Sequence, residues 1–235
     1  MLGAAIKALN QMFSPPFRAV LMRSVGLALV LIVFIGIALH RLLVWLASLG
    51  ETWAETLLGA YAHTPMVIVA WAISIIVGLG IVVGSVFLMP VVTALVGSFF
   101  VDEIALDVER AYYPDQPPGK ALPPTVAIVE GVKTALLAIV VYLVAVPFLL
   151  FGGIGAVIFF LAAAYLLSRE YFELAAMRFH PVAQAKTMRK MNQGTVFLAG
   201  LLIAAFVSIP IVNLATPLFA MALMVHVHKQ VAAKT

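Results

Sequence analysis

The stretch Thr134–Ser168, TALLAIVVYLVAVPFLLFGGIGAVIFFLAAAYLLS, decides the fold together with its counterpart Met191–Val225, MNQGTVFLAGLLIAAFVSIPIVNLATPLFAMALMV. Each is 35 residues long, carries no Asp, Glu, Lys or Arg, and is interrupted near its middle by helix-disrupting residues. An unbroken helix of that length would measure about 52 Å against a hydrocarbon core of about 30 Å, so neither fits as one simple span. The first holds Pro147 and the cluster Gly152, Gly153 and Gly155; the second holds Pro210, Asn213 and Pro217. Each reads as a helical hairpin, over 125–168 and 191–228, that dips into a membrane and returns. The arm Ala156–Ser168 spans roughly 20 Å as helix, too short for the core, which makes the hairpins hemi-penetrating. Two full tilted spans are the alternative for the first.

Composition points the same way. The 235 residues are 64% hydrophobic and 10% charged, and the mean hydropathy is +1.14, far from the globular average. A chain of 25.2 kDa allows a single membrane domain, 1–235, so a large pore requires several copies and a homo-oligomer is expected. The absence of Cys excludes disulfides, thiolate metal sites and thiol nucleophiles within the chain.

Outward from the hairpins, residues 4–14 place Ile6, Leu9 and Phe13 at helical spacing before Ser14, Pro15 and Pro16, the pattern of a short interfacial helix. Residues 21–50 form a first, tilted transmembrane helix. Thr64 and Pro65 open a second, 65–112, kinked at Pro90. Its last turns carry Glu103, Asp107 and Arg110 on one face and Ile104, Val108 and Ala111 on another, so the helix projects beyond the bilayer. A polar, Pro- and Gly-rich linker follows, residues 113–124.

Thirteen of the fourteen Lys and Arg residues lie in the N-terminal segment, in 110–133, in 169–190 and in the C-terminal tail; Arg41 is the exception. The loop after the first span offers Glu51 and Glu55 and no basic residue, so the positive-inside rule places both termini in the cytoplasm. Broken backbone at membrane depth is tolerated where it is buried in protein or lines water, and helix N-termini inside a membrane attract anions. The helix after Gly155 and the helix after Asn213 would present such ends. Asn213 reads first as the cap of its helix and second as a substrate contact. The glycines read as a tight turn, as close packing, or as pore lining.

The remaining candidates have structural readings beside functional ones. His40 and Arg41 interrupt the first span, where an ionisable group is a functional candidate and a snorkelling Arg41 is the alternative. His226 and His228, at i and i+2 on a helix, point about 200° apart and do not form a joint metal site. The set Asp102, Glu103, Asp107, Glu109, Arg110, Arg169, Glu170, Glu173 and Arg178 reads as structural salt bridges at one face of the bundle. Ser85, Ser98 and Ser208 lack a base or a nucleophile motif, no phosphate-binding loop occurs, and the basic residues form no nucleic-acid-binding stripe. The chain reads as no enzyme, needing no cofactor or metal.

Four patterns carry a likeness to a known family: Pro15–Arg18; Leu88–Pro90 followed by the acidic stretch 101–114; Phe151–Gly155; and Ile209–Asn213. In order and spacing the chain resembles the CysZ family of bacterial sulfate permeases over nearly its whole length. The resemblance implies an all-α membrane protein of the inner membrane, with two long transmembrane helices and two hemi-penetrating hairpins, assembled into oligomers. It implies sulfate uptake for cysteine synthesis without ATP or a known cofactor. The family's anion site is associated with a Gly-hydrophobic-Arg-Arg turn before the first long helix; the matching residues here are Pro16, Phe17, Arg18 and Ala19. Arg18 is thereby the expected oxyanion ligand, with Phe17 beside it. Arg23, five residues on, stands in poorly for the missing arginine, since it does not share a helix face with Arg18 as an i+3 or i+4 residue would. Both arginines also suit a basic membrane flank. A passive sulfate or oxyanion permease is the leading expectation, and a membrane scaffold or accessory protein that kept the architecture without the anion site is the alternative.

Overall fold

The computed structural model describes residues 2–58, 100–209 and 212–234, and among these every regular element is helical. The elements are α1 (Leu2–Met12), α2 (Pro15–Leu58), α3 (Val101–Tyr112), α4 (Pro124–Ala145) with a 3₁₀ extension Val146–Phe151, α5 (Gly153–Met177), α6 (Val182–Met191), α7 (Gln193–Val207), a 3₁₀ turn Val212–Ala215, and α8 (Thr216–Ala232). The expected helix start at Thr64, the kink at Pro90 and the hairpin residue Pro210 lie outside the described residues; of the expected 65–112 helix, α3 covers Val101–Tyr112.

The chain divides into two compact units, Ser24–Val96 and the union of Met1–Arg23 with Gly97–Thr235. The first contributes the long continuation of α2. This helix starts at Pro15 rather than at residue 21 because two prolines are tolerated in a first turn, where their missing N–H groups have no intrahelical partner. Its side chains Val30, Val33, Phe34, Ile37 and Trp45 are exposed, and Pro15–Leu46 is long and apolar enough to cross a membrane.

In the second unit α8 is the hub, packed by α1, α3, α5 and α7. Every residue from Thr216 to His228 is buried, as a helix that is apolar all round requires. The face that α5 and α7 share is built on small residues. A Cβ on Gly200 of α7 would collide with the carbonyl oxygen of Ala164 and with Ser168, so glycine there sets how closely the two backbones approach.

α4 and α5 form an antiparallel hairpin. Near the turn, Tyr142 stacks on Phe159 with ring centroids 5.6 Å apart; near the open end, Glu130 and Thr134 line a small cavity with Glu173 and Met177. Gly152 turns the chain with φ of +61°, a region that favours glycine. A Cβ on Gly155 would sit 2.7 Å from Leu149 Cα, so this glycine lets α5 start against the 3₁₀ turn, whereas Gly153 faces open space. The alternative of a tight turn thus accounts for two of the three glycines.

Two expectations need correcting. The arm expected to end at Ser168 continues to Met177, because Arg169, Glu170 and Glu173 do not stop the helix: Glu173 is ion-paired with Arg169 at 3.3 Å and with Arg189 at 2.8 Å. At 25 residues α5 is about 37 Å long, and both Pro124–Phe151 and Gly153–Met177 are long and apolar enough to cross a membrane. Asn213, expected as a helix cap, accepts a hydrogen bond at Oδ1 from Thr216 Oγ1 at 3.1 Å instead, and α8 begins after Ala215 without a side-chain cap.

Among the described residues, little packs over most of α4. Within its most apolar window 6% of residues are buried, and Leu136, Ile139, Leu143 and Leu150 are exposed. An apolar surface of that extent needs lipid or another protein chain to cover it. α6 and α7 meet at 90° across Asn192, where the Asn192 amide donates to the Met188 carbonyl at 3.0 Å. Together they supply a further candidate span if read as one bent element.

Gly200→Ala is expected to lower the thermal midpoint of the detergent-solubilised protein, by the roughly 1–3 kcal/mol typical of overpacking. Gly194→Ala on the same helix, with nothing within 4 Å of the added methyl, should be neutral or stabilising by up to about 1 kcal/mol.

Candidate functional site

The segment joining α1 to α2 holds the expected anion ligands. α1 buries its small and polar face, Ala4, Ala5, Ala8 and Gln11, and leaves Ile6, Leu9 and Phe13 exposed, the inverse of a helix on a water-soluble core. The chain turns at Phe13 and Ser14, and the Arg18 N–H donates to the Ser14 carbonyl at 3.0 Å. Pro15 and Pro16 have no N–H, so the first turn of α2 offers an oxyanion the Phe17 N–H and little else from the backbone.

The side chains divide sharply. Phe17 is 1% exposed and belongs to the hydrophobic core. Arg18 is exposed, and among the described residues no acidic group pairs with it. Arg23 lies 3.4 Å from Glu103, both well exposed, an ion pair worth little in stability that nonetheless occupies the guanidinium. The three residues are therefore not convergent: one is core, one is free and one is engaged. Gly152 and Gly155 belong to the hairpin turn, and Asn213 to the turn before α8.

Beside this turn lies a cleft of about 540 Å³, lined by Asn10, Gln11, Ser14 and Phe17 on one side and by Asp107, Arg110 and Tyr112 of α3 on the other. Burial and the nearby Glu103 push the Asp107 carboxyl up, with Arg110 opposing them. The register of α3 differs from expectation in one respect. Val101, Ile104, Ala105, Val108 and Glu109 are buried, whereas Ala111 is exposed and lines the cleft. The helix is rotated toward Glu109 because that carboxylate is drawn inward.

Its partner is Arg178, after the end of α5. Arg178 Nε donates to Glu109 Oε1 at 2.9 Å and Nη2 to Glu109 Oε2 at 3.2 Å, with the two side chains 2% and 3% exposed. Nη1 reaches Asp102, and Nη2 also donates to the Gly119 carbonyl at 3.2 Å. The linker closes the ring, since the Gly119 N–H donates to Glu109 Oε2 and the Lys120 N–H to the Arg178 carbonyl, each at 2.9 Å. A Cβ on Gly119 would fall 2.7 Å from Arg178 Cβ and 3.0 Å from Phe179 Cζ, so this glycine is required by close approach. Of the expected salt-bridge set, Asp102, Glu109 and Arg178 are joined here and Arg169 pairs with Glu173; Glu130, outside that set, pairs with Lys133 at 2.8 Å and with Lys186. Removing Arg178 alone strands a buried carboxylate, so Arg178→Met should cost about 3–5 kcal/mol. The double variant with Glu109→Gln should recover part of that in thermal unfolding.

The end of α8 lies outside the candidate spans and gathers both buried histidines. Burial raises the pKa of the Tyr113 phenol, and its hydroxyl shares a hydrogen bond with His226 Nδ1 at 2.9 Å. His228 stacks on Phe179, with ring centroids 5.1 Å apart, and among the described residues neither of its ring nitrogens has a hydrogen-bond partner. The two rings meet different neighbours, as their i, i+2 spacing requires. Lys229 sits 3.9 Å from the Phe179 ring centroid and donates to Gln116 at 2.8 Å. Burial, aided by neighbouring cations, lowers His226 and His228 from 6.5 to about 4. The unfolded chain therefore binds the extra protons first on acidification, and stability falls between pH 6.5 and 4, by about 1.4 kcal/mol per pH unit for each histidine. His228→Phe, which removes two unpartnered buried polar atoms, should leave stability at pH 7 unchanged or raised. It should also remove about half of the acid loss, read as the thermal midpoint against pH.

A family model described as sulfate transporter CysZ/etoposide-induced protein 2.4 matches residues 4–217. No curated protein and no solved structure matches the chain.

Proposed function

The chain belongs to the sulfate transporter CysZ/etoposide-induced protein 2.4 family, and on that premise we propose that it conducts sulfate or a related oxyanion passively into the cytoplasm for sulfur assimilation and cysteine synthesis. The observation that carries the proposal is Arg18, an exposed guanidinium in the first turn of α2 with no acidic partner among the described residues. A guanidinium offers paired, charge-assisted donors to two oxyanion oxygens. The Phe17 N–H lies beside it; Arg23 contributes if it exchanges Glu103 for the anion.

In this reading the protein is an oligomer in the bacterial inner membrane with both termini in the cytoplasm. The broken hairpins, at Gly152, Gly153 and Gly155 and at Pro210 and Asn213, line the path. The open space at Gly153 and the uncovered face of α4 support a hairpin that meets lipid, a pore or a second copy. Both a re-entrant hairpin and two full spans fit the helix lengths, and accessibility labelling of single cysteines at Leu150 and Phe151 separates them. The second reading, a scaffold or accessory membrane protein, is favoured by Ala19 and by the engagement of Arg23 with Glu103, which leave Arg18 as the one free cation at the turn among the described residues.

Labelled sulfate uptake into proteoliposomes, with phosphate and chloride as competitors, tests the proposal. The wild type should show saturable uptake above empty vesicles, and Arg18→Ala should weaken apparent affinity by about tenfold or more without altering assembly. Wild-type vesicles that match empty ones would favour the accessory reading.

A further inference from the structure

The cleft between the α1–α2 turn and α3 is poorly suited to a bare sulfate dianion. Its cation, Arg110, shares helix α3 and the cleft wall with the Asp107 carboxylate three residues earlier, a spacing that makes the two side chains neighbours. A second acceptor waits opposite. Gln11 is 6% exposed and lines the cleft, and its side-chain carbonyl oxygen has no hydrogen-bond partner among the described residues. Asn10 near the end of α1 and Ser14 in the turn after it also line the cleft, as does Tyr112 of α3. Balanced charge and a surplus of acceptors call for a ligand with an anionic group and an N–H-rich cation.

The position of the cleft narrows the ligand further. Ile6, Leu9 and Phe13 are 55%, 39% and 69% exposed. Ile6 lies four residues before Asn10 on α1 and Phe13 follows the helix at its turn, so exposed apolar side chains border the polar residues that line the cleft. A molecule whose head fills the cleft can lay hydrocarbon along those side chains, as an interfacial helix invites.

We infer that the cleft formed by Gln11, Asp107 and Arg110 binds the head group of a phospholipid bearing a primary ammonium, of the phosphoethanolamine type. The phosphate faces Arg110, and the ammonium is shared by Asp107 and the Gln11 carbonyl. A primary ammonium has three donors to give these acceptors, whereas a trimethylammonium has none. The unfavourable burial of Asp107 beside Glu103 is what such an ammonium would relieve. This inference does not depend on what the protein transports.

Native mass spectrometry of the purified full chain, released from detergent with equal amounts of phosphatidylethanolamine, phosphatidylcholine and phosphatidylglycerol of the same acyl chains, tests it. The wild type should retain phosphatidylethanolamine about tenfold over phosphatidylcholine, the effect of a charge-assisted hydrogen bond. Asp107→Asn and Gln11→Met should each erode that preference, and Arg110→Gln should lower retention of all three lipids. Equal retention of the ethanolamine and choline lipids overturns the inference. So does a preference for phosphatidylglycerol, which would make the cleft a plain anion site, or an unchanged preference in Asp107→Asn and Gln11→Met variants that unfold at the wild-type temperature.

Discussion

A buried guanidinium cannot be left partly paired, and the demand of Arg178 for partners organises the larger unit. Its donors go to Glu109, Asp102 and the Gly119 carbonyl, so α3 and the linker must close over the end of α5 before the charge is satisfied. The desolvation cost of both ions is recovered when all of these groups are in place together. That requirement rotates Glu109 inward, forbids a side chain at residue 119 and holds Tyr113 over His226. The same corner caps the C-terminal end of α8, which lies between α1, α3, α5 and α7.

α8 and α4 show how one composition meets two environments. Both are nearly free of charge over most of their length, yet among the described residues, positions 216–228 are enclosed by protein and the outer face of α4 is exposed. The charge-free blocks and their breaks were legible because they follow from composition and from Pro and Gly chemistry. Which block meets protein on all sides was not, because it depends on packing partners such as Gly200 and Ala164, set by residues far apart in sequence. The α5 boundary differs for a related reason: charges at Arg169 and Glu173 look like the end of a membrane segment until the pairing of Glu173 with both Arg169 and Arg189 is known.

The candidate site was half legible. The family resemblance marked Arg18 as a possible oxyanion ligand and helical spacing made Arg23 the weaker one; in the structure Arg23 pairs with Glu103. The cleft was invisible in the sequence because Gln11 and Asp107 are almost a hundred residues apart and neither is unusual in its own segment. The buried face of α1 carried a usable clue: alanines and a glutamine turned inward while Ile6, Leu9 and Phe13 face out, an arrangement stable where lipid covers the outer face.

The sparse charge at the α1–α2 turn bears on what kind of transport the fold can support. Two prolines remove backbone donors from the first turn of α2, Ala19 supplies no charge and Arg23 is held by Glu103, so among the described residues an oxyanion there would meet the Arg18 guanidinium and the Phe17 N–H. A storage or receptor site for a dianion would need more, because the anion gives up strong hydration on binding. A conducting site needs less: binding must be favourable enough for entry and weak enough for release. The absence of charge at Ala19 therefore argues against tight capture more strongly than against permeation. The decisive quantity for this chain is the rate at which anion crosses, since weak equilibrium binding is compatible with a working pathway and with none.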